Sequence, residues 1–329
     1  MALLARPRAA GTGLLVLALL AARPADAQWF EALGSRALGL GGAFVAVADD
    51  ASAVYWNPAG VALGPFFSLV VDTASAETGP ARGQASEGTA RQAGTIIAAA
   101  TLPIGVSYYR LASYSASALP PGQASAPVSA LVTDHVGATL VHSITPAIAI
   151  GGTLKYVRGS AGTGVADSAT DPLDLGESLP RRDSSAFDVD LGILAAFGRV
   201  RLGLTGRNLA APEFEAPGGS VQGLERQVRA GVALTPSDRL LLALDVDLTR
   251  TETVAGGRRN VAAGAETWFV QRRVGVRGGF RASTAGDARP VGAIGASVGL
   301  FRGFWVDGHY TAGVDEGDRG WSVGGRLSY

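Results

Sequence analysis

The residues able to do chemistry are few. The chain has three histidines and no cysteine in 329 residues, which excludes thiolate nucleophiles, disulfides and cysteine-bound zinc. One constellation has the composition of a hydrolase triad: His309 and Asp307 share one face of a period-two segment, and Ser322 lies on the next segment. Nucleophilic catalysis needs such groups to converge on a reacting atom, and isolated His–Asp pairs are more often structural, so no catalytic residue is assigned. His142 falls on an apolar face, and His135 is expected at a strand end beside Asp134. The stretch "VADSATDPLDLGE" (Val165–Glu177) offers Asp167, Asp171, Asp174 and Glu177 as oxygen donors suited to Ca²⁺, but without EF-hand spacing. Whether it binds Ca²⁺ stays open, and no metal or cofactor is assigned. "GLGG" (Gly39–Gly42) lacks the dinucleotide fingerprint. With 28 basic and 28 acidic residues and no basic stripe, nucleic acid is not an expected partner.

The other charges are spaced for strands. In "RLLLALDVDLTR" (Arg239–Arg250), Leu240, Leu242, Leu244, Val246 and Leu248 oppose Asp245, Asp247 and Thr249. Phe187, Val189, Leu191 and Ile193 oppose Asp188 and Asp190, and Val274, Val276 and Phe280 oppose Arg273, Arg277 and Arg281. Such period-two patterning recurs near 66–75, 94–102, 104–112, 134–143, 148–158, 185–196, 199–209, 226–235, 239–250, 258–269, 272–283, 291–301, 304–313 and 320–329. Fourteen is an even number, as single-chain bacterial barrels require. A soluble sandwich also alternates, so the connections decide. Those after even strands are short. Those after odd strands (76–93, 113–133, 159–184, 210–225, 251–257, 284–290 and 314–319) are mostly longer and polar, which matches short turns at one membrane face and long loops at the other. Tyr108, Tyr156, Tyr310 and Trp321 fall outward near the loop ends, and Phe197, Phe269, Phe304 and Tyr329 near the turn ends, as two interfacial girdles would. The predicted fold is an all-β, 14-stranded antiparallel transmembrane β-barrel.

The ends fit export. Arg6 and Arg8, an apolar run from Gly13 to Ala22 and "Ala25-Asp26-Ala27" form a signal-peptide layout, with a core too short to span a bilayer. Mean hydropathy is +0.23 although no later segment is long and apolar enough for a membrane helix. The expected organisation is a signal peptide over 1–27, a lumenal segment over 28–65 and the barrel over 66–329.

Residues 28–65 differ from the barrel strands. Asp49 or Asp50 suits the start of a helical turn through Trp56, and Asn57 suits the cap of a second turn with Pro58 at its first position. "GSRALGLGGAFVAVADDASAVYWNPAG" (Gly34–Gly60) resembles the N-terminal signature of the FadL/TodX superfamily of outer-membrane proteins, and is most similar to its shorter PorV/PorQ-like members. The resemblance implies a fourteen-stranded barrel in the Gram-negative outer membrane with an N-terminal hatch. It implies that Asn57, Pro58, Ala59 and Gly60 form the hatch motif and that Asp49 and Asp50 are its polar anchor. Phe44, Tyr55 and Trp56 would line a pocket for a hydrophobic, fatty-acid-like molecule that passes passively. The alternative implied by PorV-like members is a docking subunit for secreted-protein cargo in a type IX system. Either protein meets membrane lipid, and its C-terminal strand, ending in Tyr329, resembles the signal read by the barrel-assembly machinery. Inward charges, among them Lys155, Asp188, Asp190, Arg201, Arg207, Arg229, Asp245, Asp247, Glu266, Arg277, Arg281, Asp307 and Arg326, are expected to pair across neighbouring strands or to hold Asp49, Asp50 or a ligand carboxylate.

Overall fold

The structure, a computed structural model, describes residues 28–80, 88–118, 125–167, 171–254, 256–315 and 317–329. The expected signal peptide lies outside the described residues. Fourteen antiparallel strands close into one barrel. They are β1 (Ser68–Thr78), β2 (Thr89–Thr101), β3 (Ile104–Ala116), β4 (Ser125–Thr145), β5 (Ile148–Asp167), β6 (Arg182–Phe197), β7 (Val200–Arg207), β10 (Gln227–Ser237), β11 (Leu240–Asp247), β14 (Asn260–Phe269), β15 (Val274–Ser283), β16 (Val291–Phe301), β17 (Phe304–Gly313) and β18 (Arg319–Ser328). Two small hairpins sit in the loops: β8 (Glu213–Glu215) with β9 (Val221–Gly223), and β12 (Thr251–Thr253) with β13 (Gly256–Arg258). The first strand meets the last from Ser68 opposite Ser328 to Glu77 opposite Arg319, so the ladder has no free edge. Lipid demands that closure, because an unpaired backbone amide finds no water in hydrocarbon.

The alternation decides which face is which. On β11, Leu242 and Leu244 are exposed while Leu241, Ala243 and Asp245 are buried. The same division puts Leu140, Leu154, Leu191, Leu202, Val276 and Val323 on the outside. Tyr108, Tyr156, Tyr310 and Trp321 lie outward toward the loop end, and Phe197, Phe269 and Tyr329 toward the turn end. No described helix is long and apolar enough to cross a membrane.

The three longest predicted loops are corrected. Much of 76–93, 113–133 and 159–184 is strand: β4 runs for 21 residues and β5 for 20. Their added residues, such as "SAPVSALVT" and "RGSAGTGVAD", are mostly small or polar and carry few large apolar side chains. They rise beyond the apolar belt, where ladder pairing and two small side-chain clusters contributed by the loops hold them. By contrast β11 has 8 residues and β14 has 10, about enough to cross a hydrocarbon band ~25 Å tall. The wall is therefore tall over β3–β6 and low over β10–β18.

The N-terminal segment lies inside the barrel. It holds α1 (Ser35–Gly39), α2 (Ala53–Trp56) and a 3₁₀ helix over Pro58–Leu63, and nearly all of residues 30–61 are buried. Together with inward wall residues such as Ile96, Tyr109, Leu111 and Ala243 it forms the main apolar core.

Candidate functional site

The lumenal segment is held at discrete polar anchors. Helix α1 opens without a side-chain cap of its own. The wall provides one instead: the backbone N–H groups of Gly34 and Ser35 donate to Asp72 of β1 at 3.2 and 2.8 Å, which satisfies donors that a helix start leaves unpaired. On the opposite wall, the N–H groups of Phe44 and Val45 donate to Asp245 at 2.8 and 2.9 Å. Gly41 and Gly42 just before them have positive φ, 70° and 93°, which lets the chain reverse there.

Arg36 is the central cation. Its Nε and Nη2 each donate to Glu266 of β14 at 2.9 Å, a two-pronged contact, and Nη1 reaches Asp49 at 2.5 Å and Asp50 at 3.4 Å. Arg201 of β7 approaches the other oxygen of Asp49 at 3.4 Å, and Arg326 of β18 lies 4.0 Å from Asp50. Burial pushes the Asp49 carboxyl up, but the Arg36 and Arg201 charges outweigh it and hold it below the usual carboxylate range. Further along the lumen, Arg229 of β10 bridges Glu31 and Asp247, the latter at 2.6 Å. Burial would raise Glu31 too, yet Arg229 and then Arg281 bring it down to about 2.

Between these anchors the segment packs tightly. Phe30, Phe44, Tyr55 and Trp56 meet ring to ring with centroids 5.3–6.5 Å apart. Tyr109 stands edge-on to Tyr55 at 5.4 Å, and the Arg207 guanidinium lies 3.6 Å above the Tyr55 ring. Asn57 accepts from the Ala59 N–H at 3.2 Å, capping the 3₁₀ helix, and donates to the carbonyls of Val45 and Ile193 at 2.9 and 3.2 Å. It thus joins two parts of the segment to β6. Wall glycines let backbone approach backbone: a Cβ on Gly279 would stand 2.1 Å from the Leu40 carbonyl carbon.

Two loop elements cover the tall wall, Phe214 on its inner face and a short helix on its outer face. Phe214 of β8 inserts among Leu131, Val157, Ala161 and Leu224. Helix α3 (Pro172–Ser178), capped by Asp171, lies over Val128 and Ala130. Open space remains on the low side, in a vestibule between the lumenal segment, β10–β11 and the β12–β13 hairpin. Its first cavity has about 450 Å³ of free space, mouth included, and is lined by Trp29, Arg229, Arg258, Asn260 and Arg281. A second lies by Thr78, Arg289 and Thr311, and a third reaches down to Leu38, Gln92 and His309. Arg281 lines all three.

The structure places the sequence-derived candidates as follows. Asp49 and Asp50 meet Arg36, Arg201 and Arg326. Pro58 and Ala59 open the 3₁₀ helix, and a Cβ on Gly60 would meet the Ala48 carbonyl oxygen at 2.1 Å. Phe44, Tyr55 and Trp56 do not line these cavities; they are 0–1% exposed and fill space against one another. Asp188 and Asp190 flank Lys155 at 2.7 Å, while Arg277 and Arg326 share Asp307. Arg273, expected inward, is exposed at the turn end of β15. His135 lies mid-strand in β4, buried and stacked on Tyr109 at 4.2 Å, not at a strand end. His309 does pair with Ser322, but the chain continues through Ser35 (2.7 Å) to Asp72 (2.5 Å), while Asp307 faces arginines. The acids of the Val165–Glu177 stretch are already engaged: Asp171 caps α3, and Asp174 and Glu177 face Arg91. Among the described residues, no group of three His, Cys, Asp or Glu could hold a metal. Sequence reasoning missed Arg36, Glu31, Asp72, Arg258 and Phe214. For Arg36 a signal existed: one arginine alone among small apolar residues predicts a buried partner.

The fourteen-stranded transmembrane barrel has a fold shared with solved channels and transporters. Three solved structures show it: the CymD monoaromatic hydrocarbon channel (TM-score 0.63, 13% identity, 91% of this chain and 98% of that one), the Ralstonia pickettii toluene transporter TbuX (0.62, 13%, 91% and 99%) and a Pseudomonas aeruginosa FadL homologue (0.62, 11%, 93% and 100%). By sequence, residues 73–247, more than half of the chain, match the family described as "F plasmid transfer operon, TraF, protein", and the chain belongs to that family. No curated protein matches it.

Proposed function

We propose that the protein sits in the Gram-negative outer membrane and passes small hydrophobic molecules passively, with residues 28–65 as the hatch. The observation that carries this reading is the lumen itself. It is plugged by a segment fixed through ion pairs, hydrogen bonds and close packing to strands on several sides, below a vestibule open on the low side. Noncovalent anchors can open locally without breaking the wall, as a movable hatch requires. Structural likeness to a monoaromatic hydrocarbon channel and a toluene transporter supports the substrate class. The reading is of a non-enzyme that needs no cofactor, inserted through recognition of its C-terminal strand. A docking role in protein secretion finds no support in these relatives.

The test is uptake of a neutral hydrophobic solute into proteoliposomes. Uptake above protein-free vesicles, raised when Arg36→Ala loosens the segment, is expected. Uptake equal to protein-free vesicles for both proteins refutes the reading.

A further inference from the structure

We infer that the vestibule is an anion site for a short organic acid, with Arg281 and Arg258 meeting the carboxylate and Trp29 flanking the apolar body. The inference deepens the transport reading and rests on it only for the vestibule being a ligand entrance.

The charges lead there. Five arginines and four carboxylates line the first two cavities. The carboxylates all have partners: Glu31 and Asp247 pair with Arg229, Glu77 with Arg91 and Arg319, and Asp318 with Arg289. Arg281 and Arg258 have no ion pair within contact distance, and Arg281 acts on Glu31 only through space. Arg281 stands where the three cavities meet and makes no hydrogen bond or ion pair with any described residue. Arg258 has one long contact, Nη2 donating to Thr78 at 3.5 Å, and its Nε is buried without a partner. Burial, and then the charge of Arg289, lower its pKa to about 10, more than the nearby carboxylates of Asp318 and Glu31 raise it. A buried donor without an acceptor is costly, and an incoming carboxylate relieves that cost.

The surroundings select the rest of the ligand. Trp29 is half-buried in the first cavity, with the Arg258 guanidinium 5.5 Å from its ring centroid. An aromatic or short aliphatic body would lie against that ring at the mouth of the cavity. The paired carboxylates in the same lining repel a dianion more than a monoanion. A long chain has nowhere to go while the hatch is docked, because the Tyr55–Trp56 core below is fully packed. A neutral hydrocarbon fills the space but leaves both arginines unpaired.

Calorimetry on the full-length protein in detergent, with benzoate, its neutral isostere benzamide and inorganic phosphate, tests this. Benzoate is expected to bind about tenfold or more tighter than benzamide, as a charge-assisted contact requires. Arg281→Ala removes that preference and leaves benzamide unchanged, and Arg281→Lys keeps part of it. Arg258→Gln is a second variant should Arg281→Ala fail to assemble, and a loss of preference is again expected. Equal binding of benzoate and benzamide, benzoate binding that ignores both substitutions, or phosphate binding as tightly as benzoate overturns the inference. Neutral-solute uptake by the wild type is measured alongside. Intact uptake without benzoate preference sinks only this inference, and benzoate preference without uptake sinks only the transport reading.

Discussion

Arg36 is where the docking of the lumenal segment is most open to perturbation. Its side chain is 9% exposed and joins Glu266, Asp49 and Asp50. Removing one partner of a buried ion pair costs about 3–5 kcal/mol, because the other charge stays buried without compensation. Here the lower end applies. Glu266 keeps the Trp268 indole at 2.9 Å and Arg277 at 3.4 Å, and Asp49 keeps Arg201. Arg36→Ala should therefore cost about 3 kcal/mol, or about a hundredfold in the undocked fraction at ~1.4 kcal/mol per decade. The absence of cysteine makes the assay clean. Val47→Cys places one thiol at a fully buried position in the segment, and its labelling by a maleimide requires local opening. Adding Arg36→Ala should accelerate labelling about a hundredfold while the barrel keeps its heat-modifiable migration on gels. Arg36→Lys keeps the charge but loses the fork, and should fall between. A labelling rate within about threefold of the parent would refute the view that this ion-pair cluster holds the segment.

The same thiol reports on other joints. Gly279→Val should leave the barrel closed but expose the thiol fully, because its Cβ occupies the space of the Leu40 carbonyl carbon; a still-protected thiol would contradict the seating. Phe214→Ala should leave a cavity costing about 3–5 kcal/mol in the loop-end lid, seen as faster tryptic cleavage at Arg226 with thiol labelling unchanged. Glu31 has a folded pKa of about 2 against an ordinary 4.5, so its contribution is complete above 4.5 and lost as pH falls toward 2. The difference in labelling between wild type and Glu31→Gln should thus be constant from pH 8 to about 5 and shrink below about 4.5; a difference that vanishes near pH 7 would contradict this.

Legibility in the sequence followed lipid contact. "LLLALDVD" of β11 reads plainly because every outward residue must be apolar and the inward aspartates break the run. The upper ends of β4 and β5 are covered by α3 on the outer face and by Phe214 on the inner one, both from later loops, so no lipid-facing alternation marks them, and they looked like loops. Asn57 was legible as a cap because capping is local. The pairing of Arg36 with Glu266 was not, since 230 positions separate them and the period fixes a facing direction without choosing a partner. Tyr55 and Trp56 misled for the opposite reason. Aromatics in an otherwise small-residue segment suit a pocket wall or a packed core equally well, and the neighbouring Phe30 and Tyr109 decide for the core.

The glycine seats constrain the order in which this molecule is made. Leu40 rests on Gly264 and Gly279, Val45 on Gly203, and Pro58 and Ala59 on Gly151 and Gly192, with too little clearance for one extra carbon. These seats belong to β5, β6, β7, β14 and β15, while Asp72 grips the same segment from β1. Seats this close on so many strands lead us to expect that the segment is in place before the β1–β18 seam closes, acting as a mandrel for the girth of the barrel during assembly. A chain lacking residues 28–65 should accordingly show slower seam closure, measurable as delayed heat-modifiable migration, and unchanged closure kinetics would refute this order.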